Sequence, residues 1–136
     1  MSHNPPAQAP QATPYELIGG EATVRALVRR FYELMDTLPE AYAVRKLHAT
    51  DLAGSEEKLF MYLSGWLGGP DLYVQRNGHP RLRARHLPFA IGTVERDQWL
   101  ACMAQAMLET GVDPALRVKL QNGFFETADW MRTLEG

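Results

Sequence analysis

Residues 78–92 read GHPRLRARHLPFAIG, from Gly78 to Gly92. The stretch holds His79 and His86, Pro80 and Pro88, and Arg81, Arg83 and Arg85, with Arg76 just ahead. Between the two prolines there is room for about two helical turns. Leu82, His86 and Phe89 then share one face. Pro80 suits a first-turn position, and Pro88 ends the segment. A histidine on the apolar face of so short and rigid a helix is a good mount for a metal-bearing cofactor. Its ring would give one nitrogen to the metal and donate a hydrogen bond from the other. The arginines suit acid groups at a cofactor's edge, since guanidinium binds carboxylate bidentately. The rival reading is an ordinary buried histidine with a satisfied ring, but such a residue does not need three cations beside it.

Outward from this stretch, the period is helical throughout. Pro14–Gly20 reads as a short helix stopped by Gly19-Gly20. Val24, Leu27, Val28, Phe31 and Met35 recur at helical spacing, with Arg25, Arg29 and Arg30 opposite and Tyr32 at the stripe's edge. Leu38–His48 is an irregular corner. From Ser55 the period returns through Leu59, Tyr62, Leu63 and Trp66, with Glu56 and Glu57 as first-turn charges. Gly68-Gly69-Pro70 ends that helix. Asp71–Gly78 reads as loop. After the opening stretch, Thr93 is expected to cap a helix running to about Thr110, with Trp99, Leu100, Met103, Ala106 and Met107 inward. Asp113-Pro114 starts a last helix whose buried side is Leu116, Leu120, Gly123, Phe124, Thr127, Met131 and Leu134. The expected architecture is all-α: a Pro-, Ala- and Gln-rich disordered tail over residues 1–13 and one domain over 14–136.

Bulk properties narrow the function. The chain has 136 residues, a net charge of −2 and one cysteine. There is no basic excess for nucleic acid or a membrane surface, and no apolar run of membrane-spanning length. Cys102 alone excludes an internal disulfide or a multi-cysteine metal site, fits a reducing cytosol, and reads as a small apolar core residue. The sequence contains no P-loop, HExxH or nucleophile elbow. Tyr32, His48 and Trp99 each carry an N–H or O–H that wants a partner when buried. Taken singly, each is more often core or surface. Converging on one cavity, they would stabilise a bound polar diatomic. Haem is the flat, apolar, acid-edged cofactor that suits both His86 and this set. His3 and His79 read as surface residues.

The residues that carry these features also resemble a known family. Phe31-Tyr32, Asp51-Leu-Ala-Gly54, Gly65-Trp-Leu-Gly-Gly-Pro70, Gly78–Phe89 and Glu95-Arg-Asp-Gln-Trp99 are similar to the group II truncated haemoglobins, over about Pro14 to the C-terminus. The resemblance implies a two-over-two helical sandwich around haem b. It implies His86 as the proximal iron ligand, and Tyr32, Trp99 and His48 as the distal donors. Tyr42 is the alternative at His48's corner. Ser55 falls at the position where many globins carry a distal histidine or glutamine. Leu59, Tyr62 and Leu63 would wall the haem, with Leu82 and Phe89 beside His86. Arg85 and Lys58 would meet the propionates, with Tyr73 assisting and Arg81 and Arg83 facing solvent.

The expected function is binding of O2 and other diatomics (NO, CO) with slow release. That points away from bulk oxygen transport and toward sensing, scavenging or redox chemistry. NO dioxygenation or peroxidase-type turnover would need an external electron donor, because no reductase or flavin motif is present. A cofactor-free helical interaction domain is the rival of a different class.

Overall fold

The computed structural model describes residues 12–135. These residues form eight α-helices and no strand. In chain order they are α1 (Pro14–Ile18), α2 (Gly20–Thr37), a 3-10 turn (Pro39–Ala41), α3 (Tyr42–Arg45), α4 (Ala53–Trp66), α5 (Leu72–Asn77), α6 (Leu82–His86), α7 (Thr93–Glu109) and α8 (Pro114–Trp130). The expected tail lies, up to residue 11, outside the described residues.

The long helices form where apolar residues recur every third or fourth position. On α2, Val24, Leu27, Val28 and Phe31 are wholly buried, and Met35 almost so. That face packs on both α4 and α7, and α7 packs on α8. The result is two helix pairs layered on one core. Burying a large aliphatic or aromatic side chain contributes roughly 1.5–3 kcal/mol, so this stripe outweighs the modest helix propensity of its β-branched members. Local signals fix the ends. The Thr13 hydroxyl accepts from Glu16 N at 3.2 Å while the Glu16 carboxylate accepts from Thr13 N at 3.0 Å, a reciprocal cap for α1. Asp113 caps α8 by accepting from the amides of Ala115 and Leu116 at 3.1 and 3.2 Å. At Gly69 a Cβ would lie 2.5 Å from the Tyr15 ring, so only glycine lets α1 lie this close to the end of α4.

Four local expectations are corrected. Asp71–Gly78 is not a loop: α5 forms there, because Tyr73 is buried against the core and α5 packs on α4. Pro80 is not in the first turn of α6. Arg81 intervenes with φ 45° and ψ 49°, a left-handed conformation uncommon for a residue with a side chain. The cap of α7 is Gly92 instead of Thr93, and the Glu95 carboxylate accepts from Gly92 N at 2.7 Å. Helix α8 stops at Trp130, so Leu134 lies beyond it and is half exposed. Among the described residues, no helix is long and apolar enough to cross a membrane.

Candidate functional site

His86 is the last residue of α6. Its Nδ1 lies 2.6 Å from the carbonyl oxygen of Leu82, one turn earlier. A carbonyl can only accept, so Nδ1 carries the proton. In the neutral ring Nε2 then holds a lone pair, the form a metal ligand needs.

His48 is built the same way. Its Nδ1 lies 2.9 Å from the carbonyl oxygen of Val44, four residues back at the end of α3. Burial holds its imidazole below the ordinary histidine range. The Val44 bond opposes that, and the charges of Arg45 and His86 add to it. In the neutral ring the one proton then faces Val44, and Nε2 is left as an acceptor.

The other two expected donors join His48 through a run of rings. His48 meets Tyr32 edge-on, with centroids 5.9 Å apart. Tyr32 meets Phe31 at 4.9 Å, and Phe31 meets Trp99 at 5.0 Å. Trp99 then meets Phe124 at 5.7 Å, and Phe124 stacks on Trp66 at 4.6 Å. Helices α2, α4, α7 and α8 thus share one aromatic wall. Edge-to-face pairs add about 0.5–1.5 kcal/mol each beyond area burial, so the wall is rigid. Burial pushes the Tyr32 phenol well above its usual range, and the charge of Glu56 adds to this, so its hydroxyl stays protonated and can donate. Tyr32 is only 6% exposed. Among the described residues the one buried side-chain polar atom with no partner is Gln121 Oε1. The Tyr32 hydroxyl and the Trp99 N–H have no protein acceptor either, yet they are not sealed in.

The remaining candidates divide. Leu59, Tyr62 and Leu82 are half-buried, and Leu63 is wholly inside. Tyr62 and Leu82 face a cleft of about 840 Å³ that is also lined by Arg83, Thr127 and Trp130. His86, Tyr32, His48 and Trp99 do not line it. Phe89 is 43% exposed. Ser55 sits half-buried in the first turn of α4, next to the Glu56 whose charge reaches Tyr32. Tyr42 is 70% exposed and does not join the wall, which leaves His48 at that corner. Lys58 and Arg85 are exposed. Arg85 spends its Nε on the Pro80 carbonyl at 2.8 Å and keeps both terminal nitrogens. Tyr73 is a core residue with little surface for an acid group. Arg81 is exposed as expected, and Arg83, expected to face solvent, is half-buried. It donates to the carbonyls of Trp130 and, at 3.0 Å, Arg132. Glu57 and Glu56 pair with Arg25 and Arg29 at 3.0 and 3.8 Å, as surface charges. Cys102 is buried, and burial raises its thiol pKa, so it is a packing residue. No cluster of three or more His, Cys, Asp or Glu suited to a metal ion occurs among the described residues.

The donor chemistry fits the expected haem: one bare imidazole nitrogen at His86 and a wall carrying two unpaired donors. Sequence reasoning overlooked Thr133, and it named Arg83, Phe31 and Phe124 without the partners that the structure gives them. It also overlooked the i−4 carbonyls that set both imidazole tautomers, although the four-residue spacings Val44–His48 and Leu82–His86 were there to be seen.

Comparison with known proteins agrees. The family model for bacterial-like globins matches residues 13–133. Group 2 truncated hemoglobin YjbI of Bacillus subtilis is 41% identical over 104 residues, 76% of each chain. Among solved structures, a group II 2-on-2 hemoglobin of Agrobacterium tumefaciens superposes with a TM-score of 0.89 at 50% identity, covering 95% of this chain and 99% of that one. The truncated oxygen-avid haemoglobin of Bacillus subtilis superposes with a TM-score of 0.81 at 39% identity, covering 89% and 99%. With its two-over-two layering of α2 and α4 on α7 and α8, the chain belongs to the group II truncated haemoglobins of the bacterial-like globin family.

Proposed function

We propose that this globin holds haem b through His86 and binds O2 tightly, with NO and CO as further ligands. The observation that carries the reading is the bare Nε2 of His86 on one side and the two unpartnered donors, Tyr32 and Trp99, on the other. When bound, haem would supply an iron able to take a diatomic ligand. The residues do the rest. His86 would offer Nε2 to the metal, its ring kept oriented through the Leu82 carbonyl. The Tyr32 hydroxyl and Trp99 indole donate toward a ligand that carries partial negative charge. His48 packs edge-on against the Tyr32 ring and holds it in place, leaving the one phenolic proton for the ligand. Ser55 adds a hydroxyl at the rim. Arg85 and Lys58 hold the propionates from the exposed side, with Tyr73 in a packing role. Leu59, Tyr62, Leu63, Leu82 and Phe89 exclude water from the macrocycle. The B. subtilis relative described as oxygen-avid supports tight oxygen binding. The function is ligand capture in a reducing cytosol. NO detoxification is a secondary reading that needs an electron donor from outside the chain.

An absorption spectrum tests this directly. The purified protein should show an intense Soret band, and His86→Ala should abolish or greatly weaken it. A colourless protein that takes up no added haem would overturn the reading in favour of a helical interaction domain. Turnover of NO or peroxide no faster than free haem would assign the chain to binding alone.

A further inference from the structure

We propose that the residues closing α8 form a clasp on the His86 helix, with Arg83 as the positioning residue that fixes where the imidazole points. The proposal rests on the reading of His86 as the axial ligand. Helix α6 has five residues, starts from a left-handed Arg81 and buries none of its side chains. So short a helix is not stable through its own hydrogen bonds. Something outside it must hold it.

The contacts that do so come from beyond residue 129. Three positions before His86, Arg83 Nη1 donates to the carbonyl of Trp130, the last residue of α8, and to that of Arg132 at 3.0 Å. Carbonyls at a helix C-terminus lack intrahelical partners and carry partial negative charge, so a guanidinium there satisfies them and gains from the dipole. Three positions after His86, the Thr133 hydroxyl donates to the carbonyl of Phe89 at 2.5 Å. The same hydroxyl accepts from Ile91 N at 2.9 Å. The Ile91 carbonyl in turn accepts from the amides of Thr133 and Leu134 at 2.8 and 3.0 Å. The clasp is itself braced, since Asp129 accepts from Arg132 at 2.7 Å and from Arg96 of α7 at 2.8 Å. The His86 ring is tied to Leu82 within α6, so its orientation follows the helix, and the helix follows the clasp. Arg83 and Trp130 also line the cleft beside Leu82.

The test uses the haem-loaded protein with Arg83→Ala, Arg83→Lys and Thr133→Val. Two quantities are read: the iron–histidine stretching band of the ferrous ligand-free form, and the rate of haem transfer to excess apomyoglobin. Arg83→Ala should shift or broaden the band and speed haem loss about tenfold, the worth of one charge-assisted hydrogen bond. Arg83→Lys keeps a cationic donor and should recover most of both. Thr133→Val should act like Arg83→Ala, and it carries the test if that variant fails to fold. An unchanged band with haem loss within twofold of the parent in Arg83→Ala and Thr133→Val would overturn the proposal. His86→Ala separates the two claims. If it leaves the histidine band in place, the axial assignment is wrong. Amide exchange at Arg85, Leu87 and Phe89, whose N–H groups bond within this segment, then decides the clasp alone: faster in Arg83→Ala upholds it, unchanged rejects it.

Discussion

Replacing Tyr32 by Phe removes one oxygen atom from a wall whose packing stays. The edge-on contacts with Phe31 at 4.9 Å and His48 at 5.9 Å are made by the ring and survive. The hydroxyl has no protein acceptor, so its loss breaks no bond within the fold. A poorly solvated hydroxyl without a partner costs on the order of 1–3 kcal/mol. The Phe variant should therefore be as stable as the parent or more so. Oxygen release should change in the opposite sense. A hydrogen bond to a partly charged ligand contributes about 1.5–3 kcal/mol, which is a factor of roughly ten to a hundred in the dissociation rate. Stopped-flow displacement of O2 by CO measures that rate, and thermal unfolding of the ferric form measures stability. Faster release with undiminished stability marks a hydroxyl kept for the ligand. Release within twofold of the parent would remove Tyr32 from the site. A stability loss above about 1 kcal/mol would show that its hydroxyl serves the fold.

Three other outcomes follow from the same geometry. Asp113→Ala loses two capping bonds on α8 and should lower stability by about 1 kcal/mol, or about 4 °C in Tm by circular dichroism; no shift would mean that the cap is redundant. Gly69→Ala drives a Cβ into the Tyr15 ring and should cost about 1–3 kcal/mol by urea unfolding. Tyr15→Leu in the same chain should reduce that penalty, and an undiminished one would place the strain elsewhere. His48 has a folded-state pKa below its unfolded 6.5, so the unfolded chain takes the proton first. Its contribution is complete above pH 6.5 and is lost as pH falls through the folded value. The urea midpoint should therefore drop below pH 6.5, and His48→Phe should flatten that part of the profile; an identical profile would exclude His48 as the source.

What the sequence made legible was whatever repeats or touches its neighbours. The stripe from Val24 to Met35, the Asp113-Pro114 start and the glycine breaks are local patterns, and all are in place. Residue type alone singles out Tyr32, His48 and Trp99 as candidates, and the structure brings their rings into one run through Phe31. Helix α5 was hidden because it is shorter than two turns and forms on the burial of one residue, Tyr73. Propensity rules place Pro80 in the first turn of α6, but the left-handed Arg81 intervenes, and that conformation depends on what α6 is tied to. The acceptors of Arg83 lie 47 and 49 residues downstream, so no window along the chain connects them. The direction of the His48 proton is a matter of one carbonyl, visible as spacing but decided only by the turn at the end of α3.

The clasp also orders events in time. Although α6 lies in mid-chain, its anchors are at residues 130–134. A chain made from its N-terminus forms α2 and α4, then α7, and has His86 in hand long before Thr133 exists. Until that residue appears, the segment from Arg83 to Ile91 has nothing to hold it. On the proposed clasp, His86 is thus the last of the candidate residues to be secured during synthesis, and a nascent chain shorter than this would carry Tyr32 and Trp99 without a fixed imidazole.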